Sequence, residues 1–274
     1  MKNTIQPFDE VIAIAGVARS GTSWLGQIID SSQDTRFRFQ PLFSYAFKGA
    51  VNEDSTDEQF QKFFTDIYNS TDDFLLQNDK RKEGIYPIFK KREIQNYLSF
   101  KTARYQYIIE PMLRKTKNTY VLGIIRNPCA VINSWMKIPS EFPPGSDPHK
   151  EWRNGMCKNS GPEDFFGYNK WKEVAQIYLD LSEKYPDRMT IVQYEDLARN
   201  TLEEVSRIYS FVNLDMGKQT MEFLEKSTKK HEDSPYSVYK NSSVIDKWKG
   251  ELDSYILEEI YADLAGTRLE IFLK

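Results

Sequence analysis

From Gly16 to Ser23 the chain reads Gly-Val-Ala-Arg-Ser-Gly-Thr-Ser, between the apolar run Val11–Ala15 and the stretch Trp24-Leu25-Gly26-Gln27-Ile28-Ile29, whose large apolar residues have helical spacing. A strand, a glycine-bounded turn and a helix N-terminus in that order place successive backbone N–H groups around one point, and such a point binds an anion. Gly16 and Gly21 keep the register of the phosphate-loop pattern GxxxxGK followed by Ser or Thr, but Thr22 stands where a nucleotide triphosphatase has its lysine. No Asp or Glu adjoins Thr22 and Ser23, so a magnesium–triphosphate site would lack its main clamp. A different phosphorylated ligand fits better. Arg19 supplies a permanently charged fork inside the loop, and Thr22 and Ser23 supply hydroxyl donors.

A second cationic element lies further on. Arg126-Asn127-Pro128 follows the β-rich run Tyr120–Ile125, and Ser134 comes eight positions after Arg126. An arginine at a strand's carboxyl end and a serine two turns into the next helix converge on one phosphate, while Asn127-Pro128 also starts that helix.

These segments resemble the sulfotransferases that use 3′-phosphoadenosine 5′-phosphosulfate. Their 5′-phosphosulfate loop reads Lys or Arg, Ser-Gly-Thr, Ser or Thr, then Trp, and Arg19 to Trp24 match it at every position. The resemblance implies that Arg19, Ser20, Gly21, Thr22 and Ser23 hold the 5′-phosphate and sulfonyl oxygens, that Trp24 lies against the adenine, and that Arg126 and Ser134 hold the 3′-phosphate. Tyr194-Glu195-Asp196-Leu197 looks like the element from which a tyrosine reaches the adenine region. Lys101, in Phe100-Lys101-Thr102, looks like the lysine that contacts the transferring group, and Arg19 is expected at the bridging oxygen. Near the C-terminus, Lys247 or Lys249 with Ser242 or Ser243 resembles the segment that closes over the 3′-phosphate.

The sequence departs from its relatives at the general base. Ala103 occupies the place where members acting on small acceptors have histidine, and Gln40, followed by Pro41, occupies the place of the glutamate of carbohydrate-type members. Glutamine takes no useful proton at neutral pH. Either acceptor activation comes from elsewhere, or Gln40 orients an acceptor that loses its proton late, or efficient catalysis has been lost. His149, flanked by Glu141 and Glu151, is a further catalytic candidate, and Glu110 is another carboxylate.

The elements that must position these residues follow from the alternation of short β-rich runs with longer amphipathic stretches. Strands are expected at Val11–Ala15, Arg36–Phe39, Tyr97–Lys101, Tyr120–Ile125 and Met189–Gln193. Helices are expected at Asp57–Ser70, Tyr105–Lys115, Ala130–Met136, Pro162–Lys184, Thr201–Leu214 and Ser254–Ala265. Helices between strands imply right-handed crossovers in one buried parallel sheet. The expected fold is a three-layer α/β unit, phosphate-loop-like, with about five parallel strands flanked by helices, as a single domain over residues 1–274. Asn78–Pro87 and the Pro/Gly-rich Ile138–Gly161 read as insertions above the sheet, in the place of lids or binding loops.

Composition sets the outer bounds. Of 274 residues, 40% are apolar and 14% aromatic, which excludes overall disorder. Lys plus Arg number 37 against 40 Asp plus Glu, a net charge of −3 that argues against a nucleic-acid partner. Two cysteines and two histidines form no disulfide framework and no metal cluster. No apolar run reaches the length of a membrane span. The expectation is a soluble cytoplasmic enzyme with 3′-phosphoadenosine 5′-phosphosulfate as donor, no metal, and a carbohydrate, glycolipid or small alcohol or phenol as acceptor. A nucleotide-binding relative without turnover and a phosphate-loop kinase are the alternatives.

Overall fold

The computed structural model describes residues 6–229, Val238 and 245–273. Strands β1 (Glu10–Ala15), β2 (Thr35–Phe39), β3 (Tyr97–Thr102), β4 (Thr119–Ile125) and β5 (Met189–Gln193) form one sheet in the spatial order β2-β3-β1-β4-β5, every pair parallel. The first half of the described chain carries helices α1 (Thr22–Asp30), α2 (Asp57–Asn69), α3 (Asp73–Leu76), α4 (Asn78–Lys82), α5 (Ile109–Lys115) and α6 (Pro128–Met136). The second half carries α7 (Pro148–Glu151), α8 (Tyr168–Lys184), α9 (Tyr194–Arg199), α10 (Thr201–Phe211), α11 (Lys218–Lys229) and α12 (Ser254–Leu264).

The sheet is buried on both faces, which is why its strands read as continuous apolar runs. In β1, Val11, Ala13 and Ala15 join the core formed with α2, α5, α6, α8 and α12, while Ile12 and Ile14 join the core formed with α1, α10 and α11. The period of two divides one strand between two layers. Each large side chain so buried contributes about 1.5–3 kcal/mol, and Val11 to Ala15 are all fully inaccessible.

Local chemistry sets the helix starts. The Asn127 side chain accepts from the backbone N–H groups of Cys129 and Ala130, with Pro128 in the first turn, so α6 begins directly after Arg126. Thr56 and Gln59 form a reciprocal capping box at α2.

Some expected boundaries shift. The helix expected from Pro162 begins at Tyr168, because Gly167 has φ 88° and Asp164 is taken up by Arg104 and Ser160. The helix expected from Tyr105 starts as a 3₁₀ turn at Gln106–Ile108, since Tyr105 itself has φ 58°. The insertion Asn78–Pro87 contains α4, and Ile138–Gly161 contains α7.

Parallel strand order has one consequence for chemistry: all five carboxyl ends lie along the same edge. The loop after β1 holds Gly16 to Gly21, Gln40 follows β2, Lys101 sits near the end of β3, Arg126 follows β4 and Tyr194 follows β5. Residues far apart in sequence are thereby delivered to one place.

Candidate active site

The loop after β1 depends on close approach. A Cβ on Gly16 would stand 2.7 Å from the Ile124 carbonyl oxygen, and one on Gly21, at φ 99°, 2.5 Å from a Tyr194 ring carbon. Only glycine allows the loop to lie against both β4 and the start of α9. Between them Arg19 adopts φ 70°, a left-handed conformation that costs a non-glycine residue energy. Ser20 is almost completely buried, and its hydroxyl has no partner among the described residues.

Arg126 lies against this loop. Its Nη1 donates to the Arg19 carbonyl at 3.2 Å, and its guanidinium carbon sits 4.6 Å from the centre of the Tyr194 ring. Its Nε has no partner among the described residues. Arg19 reaches in the opposite sense, donating from Nε to Ser134 Oγ at 3.1 Å. The cation expected at the transferring group thus stands, in this structure, between the loop and the serine of the second motif. Trp24 meets Tyr194 edge-on at 6.0 Å and donates its indole N–H to Ser227 Oγ at 3.3 Å. Two bonds hold the Arg126 backbone region: Trp171 Nε1 donates to the Arg126 carbonyl at 2.9 Å, and Asn127 N–H donates to Glu195 Oε1 at 3.1 Å. Burial pushes the Glu195 carboxyl up, against the lowering effect of the Asn127 N–H and Arg126.

Lys101 is buried at the end of β3. Its Nζ donates to Ser23 Oγ at 2.9 Å and to Thr22 Oγ1 at 3.4 Å, and lies 4.3 Å from the centre of the Phe39 ring. Burial, then the nearby cations Lys80 and Arg19, push it down to about 7, while Glu141 opposes the shift.

Side chains of the loop, Lys101, Arg126 and Tyr194 line one cavity of about 780 Å³, which also takes in Gln40, Ala103, Ser134 and Lys247. Gln40 has φ 40° and leads into the short 3₁₀ turn Pro41–Phe43. Lys247 opens the 3₁₀ turn Lys247–Gly250 beside the buried Trp248. Ser242 and Ser243 lie outside the described residues. Arg19, Gly21, Thr22, Ser23, Trp24, Gln40, Lys101, Arg126, Ser134, Tyr194 and Lys247 therefore line the same space, and Ser20 directly adjoins it, whereas Lys249 pairs with Asp246 and does not line it. His149 stands outside the cavity. Asp147 caps the single turn of α7, leaving the imidazole exposed, 3.6 Å from Asp253 and against the ring of Tyr255. Glu110 is likewise outside, paired with Lys184.

Lys80 and Glu141, named in no motif role from the sequence, also line the cavity. Lys80, on α4, lies 5.2 Å from the centres of the Phe39 and Tyr86 rings, and the neighbouring Arg81 anchors α4 through Asp30 at 2.7 Å. Glu141 enters from the Ile138–Gly161 loop with Oε2 enclosed and unpartnered among the described residues. Neither sits in a motif, so only the tertiary fold brings them in. Among the described residues no group of three or more His, Cys, Asp or Glu side chains could hold a metal ion, and no helix is long and apolar enough to cross a membrane.

Mouse carbohydrate sulfotransferase 3 is 22% identical over 188 residues, which cover 65% of this chain and 39% of that protein. The chain therefore matches well under half the length of this relative. The crystal structure of mouse sulfotransferase SULT7A1 complexed with PAP superposes with a TM-score of 0.53 at 13% identity, covering 97% of this chain and 88% of that one. The sulfotransferase domain of the Synechococcus PCC 7002 olefin synthase gives a TM-score of 0.51 at 16% identity, covering 96% and 98%. At these identities the two structures establish the fold. A family model described as the sulfotransferase domain matches residues 9–262, and the chain belongs to that family.

Proposed function

We propose that this sulfotransferase-family chain takes its sulfonyl group from 3′-phosphoadenosine 5′-phosphosulfate and passes it to a hydroxyl or amine of a carbohydrate, glycolipid or small alcohol or phenol. The observation that carries this reading is the contact between the two anion-binding motifs. Arg126 bonds to the Arg19 carbonyl and Arg19 bonds to Ser134, so the glycine loop and the strand-end arginine share one cavity.

The residues fit the donor. The Ser20 hydroxyl and Arg126 Nε are buried polar atoms without partners among the described residues, as groups awaiting anionic oxygens should be. The loop N–H groups, Ser20, Thr22 and Ser23 would hold the 5′ end, Arg126, Ser134 and Lys247 the 3′-phosphate, and Trp24 and Tyr194 the base. When bound, the donor supplies an activated sulfonyl group on a phosphate leaving group.

The chain's own contribution is positioning and charge. By analogy with phosphoryl transfer, cations fixed where negative charge develops supply most of the stabilisation. Lys101, kept in place by Ser23, Thr22 and Phe39, and Arg19, anchored at Ser134, are the cations expected at the transferring group. An anion bound there would favour the charged form of Lys101. Gln40 can orient the acceptor through its amide. The test is calorimetry: tight binding of adenosine 3′,5′-bisphosphate without magnesium, and weak binding of ATP with magnesium, support the proposal. The reverse preference, with ATP hydrolysis, would establish the kinase-like alternative.

A further inference from the structure

We propose that Glu141 is the catalytic base that takes the proton from the acceptor. The inference rests on the sulfotransferase reading above and addresses the place that Gln40 and Ala103 leave open. Both of those residues line the cavity, and neither can accept a proton usefully at neutral pH.

Three described carboxylates line the cavity: Glu141, Asp164 and Glu251. Asp164 is committed to Arg104 and to the N–H and hydroxyl of Ser160. Glu251 is committed to Asn133 at 2.9 Å and Lys137 at 2.5 Å. Glu141 alone keeps an enclosed oxygen, Oε2, with no hydrogen-bond partner among the described residues. A buried carboxylate oxygen without a donor is a cost to the fold, and with no described group holding that oxygen, this carboxylate is the one at the cavity left to take up an acceptor's proton.

The backbone that carries Glu141 is held from several sides. Its N–H donates to the Ile138 carbonyl at 2.8 Å, and its carbonyl accepts from Trp135 Nε1 at 2.9 Å. Next to it, the Ser140 carbonyl accepts from Lys158 Nζ at 2.8 Å, and Phe142 packs edge-on against Trp135 at 5.0 Å. Trp135 belongs to α6, the helix that also presents Ser134 to Arg19. Glu141 and Lys101 line the same cavity, and the Glu141 carboxylate favours the charged form of that lysine.

In the step, the acceptor O–H bond breaks and its proton passes to a Glu141 carboxylate oxygen. The electron pair so released forms the new bond from the acceptor oxygen to sulfur. The bond from sulfur to the 5′-phosphate oxygen breaks, and its electron pair leaves on the phosphate. No further reactant is needed.

The experiment compares two acceptors of similar shape with the full chain and 3′-phosphoadenosine 5′-phosphosulfate at pH 8: 4-nitrophenol, which is largely ionised, and 4-nitrobenzyl alcohol, which keeps its proton. Glu141→Gln should lower kcat with the alcohol by about 10²–10⁴-fold and change kcat with the phenol by less than about fivefold, because the phenol needs no base. Affinity for adenosine 3′,5′-bisphosphate should stay unchanged, and Glu141→Asp should restore part of the alcohol activity. Equal losses with both acceptors, or no loss with either, would overturn the assignment, as would a wild-type chain that binds the bisphosphate but transfers to neither. A wild-type chain with no affinity for the bisphosphate would instead overturn the nucleotide reading itself.

Discussion

Replacing Arg126 by alanine should abolish the preference for a 3′-phosphate while leaving the glycine loop in place. The guanidinium makes one bond to the Arg19 carbonyl, stacks on Tyr194 and keeps Nε free of any described partner, so its remaining donors are available to a ligand. A hydrogen bond to a charged group contributes about 1.5–3 kcal/mol. At roughly 1.4 kcal/mol per factor of ten, losing one such bond raises Kd for adenosine 3′,5′-bisphosphate by about tenfold to about 150-fold. The bonds that position this stretch involve backbone atoms, with Trp171 on the Arg126 carbonyl and Glu195 on the Asn127 N–H, so they survive the substitution. Calorimetry with adenosine 5′-phosphate, which lacks the 3′ group, completes a cycle: that ligand should bind the wild-type chain and the variant with similar, weaker affinity. Unchanged bisphosphate affinity in a folded variant, or equal weakening of both ligands, would refute the reasoning.

Gly21→Ala places a methyl group 2.5 Å from the Tyr194 ring at φ 99°, so it should cost about 1–3 kcal/mol of stability and reduce bisphosphate affinity, read by thermal unfolding and calorimetry. Glu195→Ala leaves the buried Asn127 N–H without its partner and should destabilise by about 1–3 kcal/mol, read by urea unfolding. Lys101 has a pH signature. An exposed lysine keeps its proton to about 10.5, whereas burial lowers Lys101 to about 7. Across that window the unfolded chain binds the extra proton, so this group's contribution to stability rises with pH from about 7 to about 10, and Lys101→Met should remove that slope from urea titrations. The same group should take up a proton when the bisphosphate binds at pH 8, seen as a dependence of the calorimetric heat on buffer ionisation enthalpy and absent in Lys101→Met.

The sheet was legible because a parallel strand buried on both faces needs an unbroken apolar run, and Val11–Ala15 and Tyr120–Ile125 are such runs. The glycine-loop side of the cavity was legible for a related reason: Gly16, Gly21, Arg126 and Ser134 are placed by local spacing after a strand, and local spacing is written in the sequence. The other side was not. Glu141 and Lys80 sit on insertions whose paths depend on contacts outside any motif, the Trp135 indole on the Glu141 carbonyl in one case and Arg81 on Asp30 in the other. The start of α8 was misjudged because Glu163 and Asp164 look like a favourable first turn, yet both lie beside Arg104, and the left-handed Gly167 sets the boundary. His149 looked poised for chemistry only because it is the lone histidine in the loop. The one-turn helix around it turns the imidazole toward Asp253.

Sulfonyl transfer itself is the most direct test. The purified chain should be incubated with ³⁵S-labelled 3′-phosphoadenosine 5′-phosphosulfate and a panel of glycans, alcohols and phenols, with products separated and counted. The account predicts label on at least one hydroxyl acceptor, stoichiometric release of adenosine 3′,5′-bisphosphate, and loss of both in Lys101→Met. Tight bisphosphate binding with no label moved to any acceptor would contradict it and leave a nucleotide-binding protein without turnover.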